Sequence, residues 1–167
     1  YKNTSKEKEN CTLLSKIKID QIIESKPNSI IIIGGELTKH LTENNDLYDY
    51  KSVNSKSIND NFISSLNKIL ELNYVILIYP IPSFKFDVTK RIMNEIPKTN
   101  LNSAEYLNQN SFYSNYNEYI KENNYIIEKF ESINHKNLFR IYPDEIFCDK
   151  TNNKCFANKG KNIFYSD

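Results

Sequence analysis

At 167 residues the chain can bury one domain-sized core and is too short for two comfortable ones. Its charge is nearly balanced, with 22 basic residues against 21 acidic, so no polyelectrolyte partner is implied. Only two of the basic residues are Arg, which excludes the guanidinium clusters suited to reading phosphates, and no nucleic-acid partner is expected. Asn, Ile and Lys together supply 68 of the 167 residues, the footprint of an AT-rich genome, in which Asn reads as surface filler. Clear apolar periodicity persists through this polar background, so the chain is not read as disordered. It begins at Tyr1 rather than Met, shows no signal peptide, and has no apolar run near the ~20 residues of a membrane-spanning helix. The expectation is a piece of a longer protein.

In chain order, residues 6–25 read as a helix with Leu13, Leu14, Ile17 and Ile22 on one face, ended by Pro27. Ile30 to Ile33 is a β-branched run closed by Gly34-Gly35, the pattern of a central parallel strand covered on both faces. A short helix is expected around Glu36 to Thr42, then a polar loop over 43–57. Asn59 to Leu72 reads as a second long helix, with Phe62, Ile63, Leu66, Ile69 and Leu70 on one face. Tyr74 to Tyr79 is an apolar strand that must end at Pro80-Ile81-Pro82, because proline cannot continue a central ladder.

A short helix is expected over 87–95, a helical stretch rich in Tyr and Asn from Ser103 to Ile133, and a third strand from Leu138 to Tyr142. Helix and strand alternate, which argues for a three-layer α/β/α domain with a mainly parallel sheet. In such sheets the chemistry sits beyond the carboxyl ends of the strands. Three segments meet that description: Gly34-Gly35-Glu36, Tyr79 to Ser83, and the stretch after Tyr142.

The last twenty residues carry the most information. Cys148 and Cys155 bracket a polar loop, and Asn158-Lys159-Gly160-Lys161 forms a second turn before Ile163-Phe164-Tyr165. A disulfide between the two cysteines would contribute about 2–3 kcal/mol and place the chain in an oxidising compartment. Two free thiols are the alternative. Cys11 is left over, as a core thiol or as the partner of a cysteine upstream of Tyr1. His40 and His135 are not at metal-motif spacing, so neither a metal nor a cofactor is expected. His40 reads as a surface or cap residue, His135 as a loop residue, and the tyrosines from Tyr106 to Tyr125 as packing rather than a sugar-stacking platform.

Three segments, NYVILIYPIPSFKFDVTKRI over 73–92, LFRIYPDEIFCDKTNNKC over 138–155 and the ending Tyr165-Ser166-Asp167, resemble in order and spacing the SGNH domain fused to membrane acyltransferase-3 proteins. They cover roughly half of the chain. The resemblance implies a flavodoxin-like SGNH hydrolase fold over 1–167, with Asp167 as the acid of a Ser-His-Asp triad. The Gly-Asp-Ser nucleophile block is expected upstream of Tyr1 and the histidine three residues after Asp167, so the 167 residues by themselves are expected to be inactive. Gly34 and Gly35 then become oxyanion candidates, and Pro80 and Pro82 candidates for the substrate pocket; the plainer readings are a strand-to-helix turn needing positive φ and a loop shaped beneath the site.

The family's Trp after the buried strand is replaced near Leu37, and Arg91 stands where a cysteine is common. The implied activity is acyl transfer, commonly acetyl, onto a hydroxyl of an extracytoplasmic glycan. The acyl donor would arrive through a fused membrane domain that tethers the protein. The alternatives are a secreted α/β binding or structural module without a triad, and a freestanding SGNH esterase.

Overall fold

A computed structural model describes residues 27–35 and 55–164. The helices expected over 6–25 and 36–42, together with Cys11, His40 and Asp167, lie outside the described residues. In chain order the elements are β1 (Ile30–Ile33), α1 (Ser55–Leu72), β2 (Tyr74–Ile78), α2 (Val88–Glu95), a 3₁₀ turn (Ile96–Lys98) and α3 (Ser103–Gln109). There follow β3 (Tyr113–Asn115), α4 (Tyr116–Glu131), β4 (Leu138–Ile141), α5 (Pro143–Phe147), and the short strands β5 (Cys148–Asp149), β6 (Lys154–Phe156), β7 (Asn158–Lys159) and β8 (Asn162–Ile163).

The three expected apolar strands form one parallel sheet in the order β1-β2-β4. Ile30 pairs with Tyr74 and Val75 with Leu138. Both crossovers step across the sheet in the same direction. Right-handed crossovers in one direction place their helices on one face. The core agrees: Leu66, Ile69 and Leu70 of α1 and Ile126 and Phe130 of α4 pack on Val75, Leu77, Tyr79 and Leu138, with Ile31 and Ile33 at the margin. Alternation along the strands turns the other side chains away. Ile30 and Ile32 are 68% and 65% exposed, and Phe139 is 54% exposed. Among the described residues, therefore, one face of the sheet is covered, and the two-sided cover expected for β1 is not seen there.

The helical stretch expected from Ser103 to Ile133 is interrupted. Asn102 starts α3 with a reciprocal capping box to Glu105, and the chain is extended again at Asn110. Asn115 restarts it by accepting a hydrogen bond from the Glu118 amide at 3.0 Å. Between them β3 pairs antiparallel with β6. Asn and Ser suit caps and turns better than helix interiors, which is why the break falls at Asn-rich positions. A second core of Val88, Ile92, Tyr106, Leu107, Phe112 and Ala157 joins α2 and α3 to the C-terminal hairpins.

Candidate active site

Because the sheet is parallel, the carboxyl ends of β1, β2 and β4 open on one edge. Gly34 and Gly35 follow β1 there, and both are exposed. A Cβ on Gly34 would stand 3.0 Å from the Cβ of Ile78, a tight contact that a larger residue could make only if the neighbouring strand gave way by a few tenths of an ångström. Gly35 has φ +115°, a conformation that side chains disfavour, with open space around it. The pair thus leaves bare backbone at the sheet edge, where N–H groups can meet an oxyanion.

Pro80 and Pro82 follow β2, and both are buried. The Pro80 carbonyl accepts the Tyr119 hydroxyl at 2.9 Å. Both prolines are thus packed inward where the chain leaves the sheet. The turn is tied to α4 through that bond, and α4 is tied in turn to the segment after β4. Tyr116 donates its hydroxyl to Asp144 at 3.4 Å, and Lys150 pairs with the same carboxylate at 2.9 Å. The Asp144 contact raises the Lys150 ammonium pKa above its usual value. Asp144 is a buried acid that the sequence reading did not single out; only its place directly after a predicted strand hinted at it.

Cys148 and Cys155 sit directly opposite each other on β5 and β6 and form a disulfide. The loop they close is ordered by its polar residues. Asp149 accepts both the backbone and the side-chain N–H of Asn152, at 3.0 and 2.7 Å, and these bonds hold its carboxyl below the usual range. Asn153 accepts the amide of Tyr116 on its carbonyl at 3.2 Å and that of Asn117 on its side chain at 2.8 Å. The hairpin therefore caps α4, satisfying amides that a helix start leaves without intrahelical partners. Since α4 begins beside Pro80, this mounts the disulfide hairpin at the carboxyl edge of the sheet.

From Cys155 the chain continues into the β7–β8 turn, where Gly160 at φ +55° makes the two-residue reversal. Asn158 holds this turn to the second core. It is 1% exposed, accepts the Phe112 amide at 2.8 Å, and donates to the carbonyls of Leu107, Asn110 and Gly160 at 3.0–3.3 Å. Asn73 and Asn123 are buried as well, so the reading of Asn as surface filler is corrected at these positions. Phe164, whose amide bonds the Ala157 carbonyl at 2.8 Å, is the last described residue before the expected acid.

His135 lies in the turn before β4, where its Nδ1 accepts the Asn137 amide at 3.2 Å. Tyr106 and Tyr119 are buried packing residues. Among the described residues there is no cluster of metal-ligating side chains and no helix long and apolar enough to cross a membrane.

No curated protein and no solved structure shows a significant match to the chain. A protein-family model described as the SGNH domain fused to AT3 domains matches residues 1–167, the whole of the sequence. The match spans the Pro80 turn, the paired cysteines and the terminal Tyr165-Ser166-Asp167 alike, and this chain is a member of the SGNH domain family that is fused to AT3 domains.

Proposed function

We propose that the chain, taken as one domain over 1–167, is the extracytoplasmic SGNH module of a membrane-tethered O-acyltransferase. It moves an acyl group, commonly acetyl, onto a hydroxyl of a surface glycan. The observation that carries this reading is the family match over residues 1–167. The disulfide supports an oxidising compartment. The parallel sheet supports a site at the edge that gathers Gly34, Gly35 and the Pro80 turn.

In this reading a serine from a segment outside residues 1–167 attacks the acyl carbonyl while a histidine takes its proton. Asp167 fixes the imidazole tautomer and stabilises the imidazolium. Backbone N–H groups at Gly34-Gly35 bind the oxyanion, each donor contributing about 3–4 kcal/mol to the barrier reduction. Collapse of the tetrahedral intermediate breaks the acyl–donor bond, and the departing donor group takes the proton from the histidine, leaving the serine ester. The glycan hydroxyl then attacks that ester, its proton passes to the histidine, and the histidine returns it to the serine oxygen as the acylated glycan leaves. A fused membrane domain supplies the donor.

The test is labelling by a fluorophosphonate of the protein that contains this domain with its flanking segments. Covalent capture of a single Gly-Asp-Ser serine is expected. A protein that is folded but not labelled at such a serine contradicts the triad.

A further inference from the structure

A groove of about 380 Å³ runs along the disulfide hairpin. Phe147, Phe156 and Phe164 line it, with Asp149, Lys159 and Ser111 on its polar side. Its volume falls within the ~300–1,000 Å³ usual for small-ligand sites. The Phe147 and Phe164 rings lie 5.3 Å apart at 45°, an aromatic corner at which Phe164 remains 39% exposed. Two disulfide-linked strands on one side and the Asn158-clamped turn on the other make the walls rigid before any ligand arrives. Preorganised walls reduce the ordering cost of binding.

The groove is also close to the expected acid for a covalent reason. Phe164 and Asp167 are three residues apart, and three residues span at most ~11 Å when fully extended.

We infer that this groove is an acceptor subsite for neutral pyranose units flanking the sugar that reacts; the inference rests on the acyltransferase reading. A pyranose offers an apolar C–H face to an aromatic ring and hydroxyls at its rim. Phe164 and Phe147 match the first, and Asp149, Lys159 and Ser111 match the second. The two charged side chains on the wall are of opposite sign, which suits a neutral sugar over a polyanionic one. Asp149 already accepts two bonds from Asn152 and one from the Thr151 amide, and a carboxylate has about four acceptor positions, so about one is left for a sugar hydroxyl.

The test is equilibrium binding of the protein that carries this domain with its flanking segments to maltotetraose and chitotetraose, with tetragalacturonate as the acidic comparison, by calorimetry and saturation-transfer NMR. At least one neutral tetrasaccharide is expected to bind, and Phe164→Ala to weaken it at least tenfold. Phe164→Trp keeps an aromatic face and retains binding. Phe139→Ala, on the face of the sheet opposite the main core, leaves binding unchanged. Absence of binding to both neutral probes, insensitivity to Phe164→Ala in a folded variant, or preference for tetragalacturonate overturns the subsite.

A transfer assay separates the two proposals. If Asp167→Asn abolishes transfer while Phe164→Ala leaves the acceptor KM unchanged, the subsite fails and the acyltransferase stands. If the groove binds sugar and no transfer occurs in a protein with its flanking segments, the acyltransferase fails.

Discussion

Asn158 and Tyr79 show how much of this fold rests on single polar groups in apolar surroundings. Truncating Asn158 orphans the Phe112 amide and three carbonyls at once. A buried group left unsatisfied costs about 1–3 kcal/mol. Asn158→Ala is therefore expected to lower unfolding stability by roughly 3 kcal/mol or more in urea titration; a loss below ~0.5 kcal/mol would contradict the clamp.

Tyr79 is 2% exposed and donates its hydroxyl to Glu131 at 2.8 Å, while Arg140 donates to that same hydroxyl at 3.2 Å. Burial first, and then the bond to Glu131, raise its pKa well above the usual phenol value; Tyr142, bonded to the same carboxylate, is raised too. A raised folded-state pKa means that the unfolded chain loses the proton first. The stability that Tyr79 contributes is fully present below the ordinary pKa of ~10 and falls as the pH rises beyond it, by up to about 1.4 kcal/mol per pH unit. Tyr79→Phe is expected to flatten the fall in stability above pH 10 in denaturant titrations, and an unchanged slope would show that another group controls it.

At the scale of elements, the disulfide hairpin is a support for α4 as much as a loop. Reduction is expected to lower stability by about 2–3 kcal/mol, the loop-closure value for a separation of seven residues. The double substitution of Cys148 and Cys155 by Ser should reproduce that loss without reductant. It should also raise amide exchange at Tyr116 and Asn117, whose N–H groups the loop caps. Unaltered exchange there would separate the hairpin from the helix.

The strands and α1 were legible in the sequence because apolar runs and i, i+3, i+4 spacing encode burial directly. The short strand β3 was not. Tyr113-Ser114-Asn115 has no strand pattern of its own and is extended only because β6, some forty residues later, pairs with it. Asp144 and Asn158 were missed for a related reason: a buried polar residue is recognisable by its partners, and these partners are distant in sequence.

At the scale of the whole molecule, the parallel sheet gathers Gly34-Gly35 and the Pro80 turn at one edge, and the α4 and hairpin contacts bring the C-terminal segment to the same side. The place of the glycines at this edge was legible, since Gly-Gly after an apolar run marks a turn out of the strand, and Gly35 takes a positive φ there. Pro80 and Pro82 pack inward at the same edge.

The central claim is that Asp167 orients a catalytic histidine. Acetyl transfer to a glycan acceptor, measured on the protein carrying this domain with its flanking segments, tests it most directly by comparing Asp167 with Asp167→Asn. The substitution keeps the shape but favours the wrong imidazole tautomer, and kcat is expected to fall roughly 10⁴-fold, with acceptor KM little changed. Transfer at the unsubstituted rate by a folded Asp167→Asn protein would contradict the account.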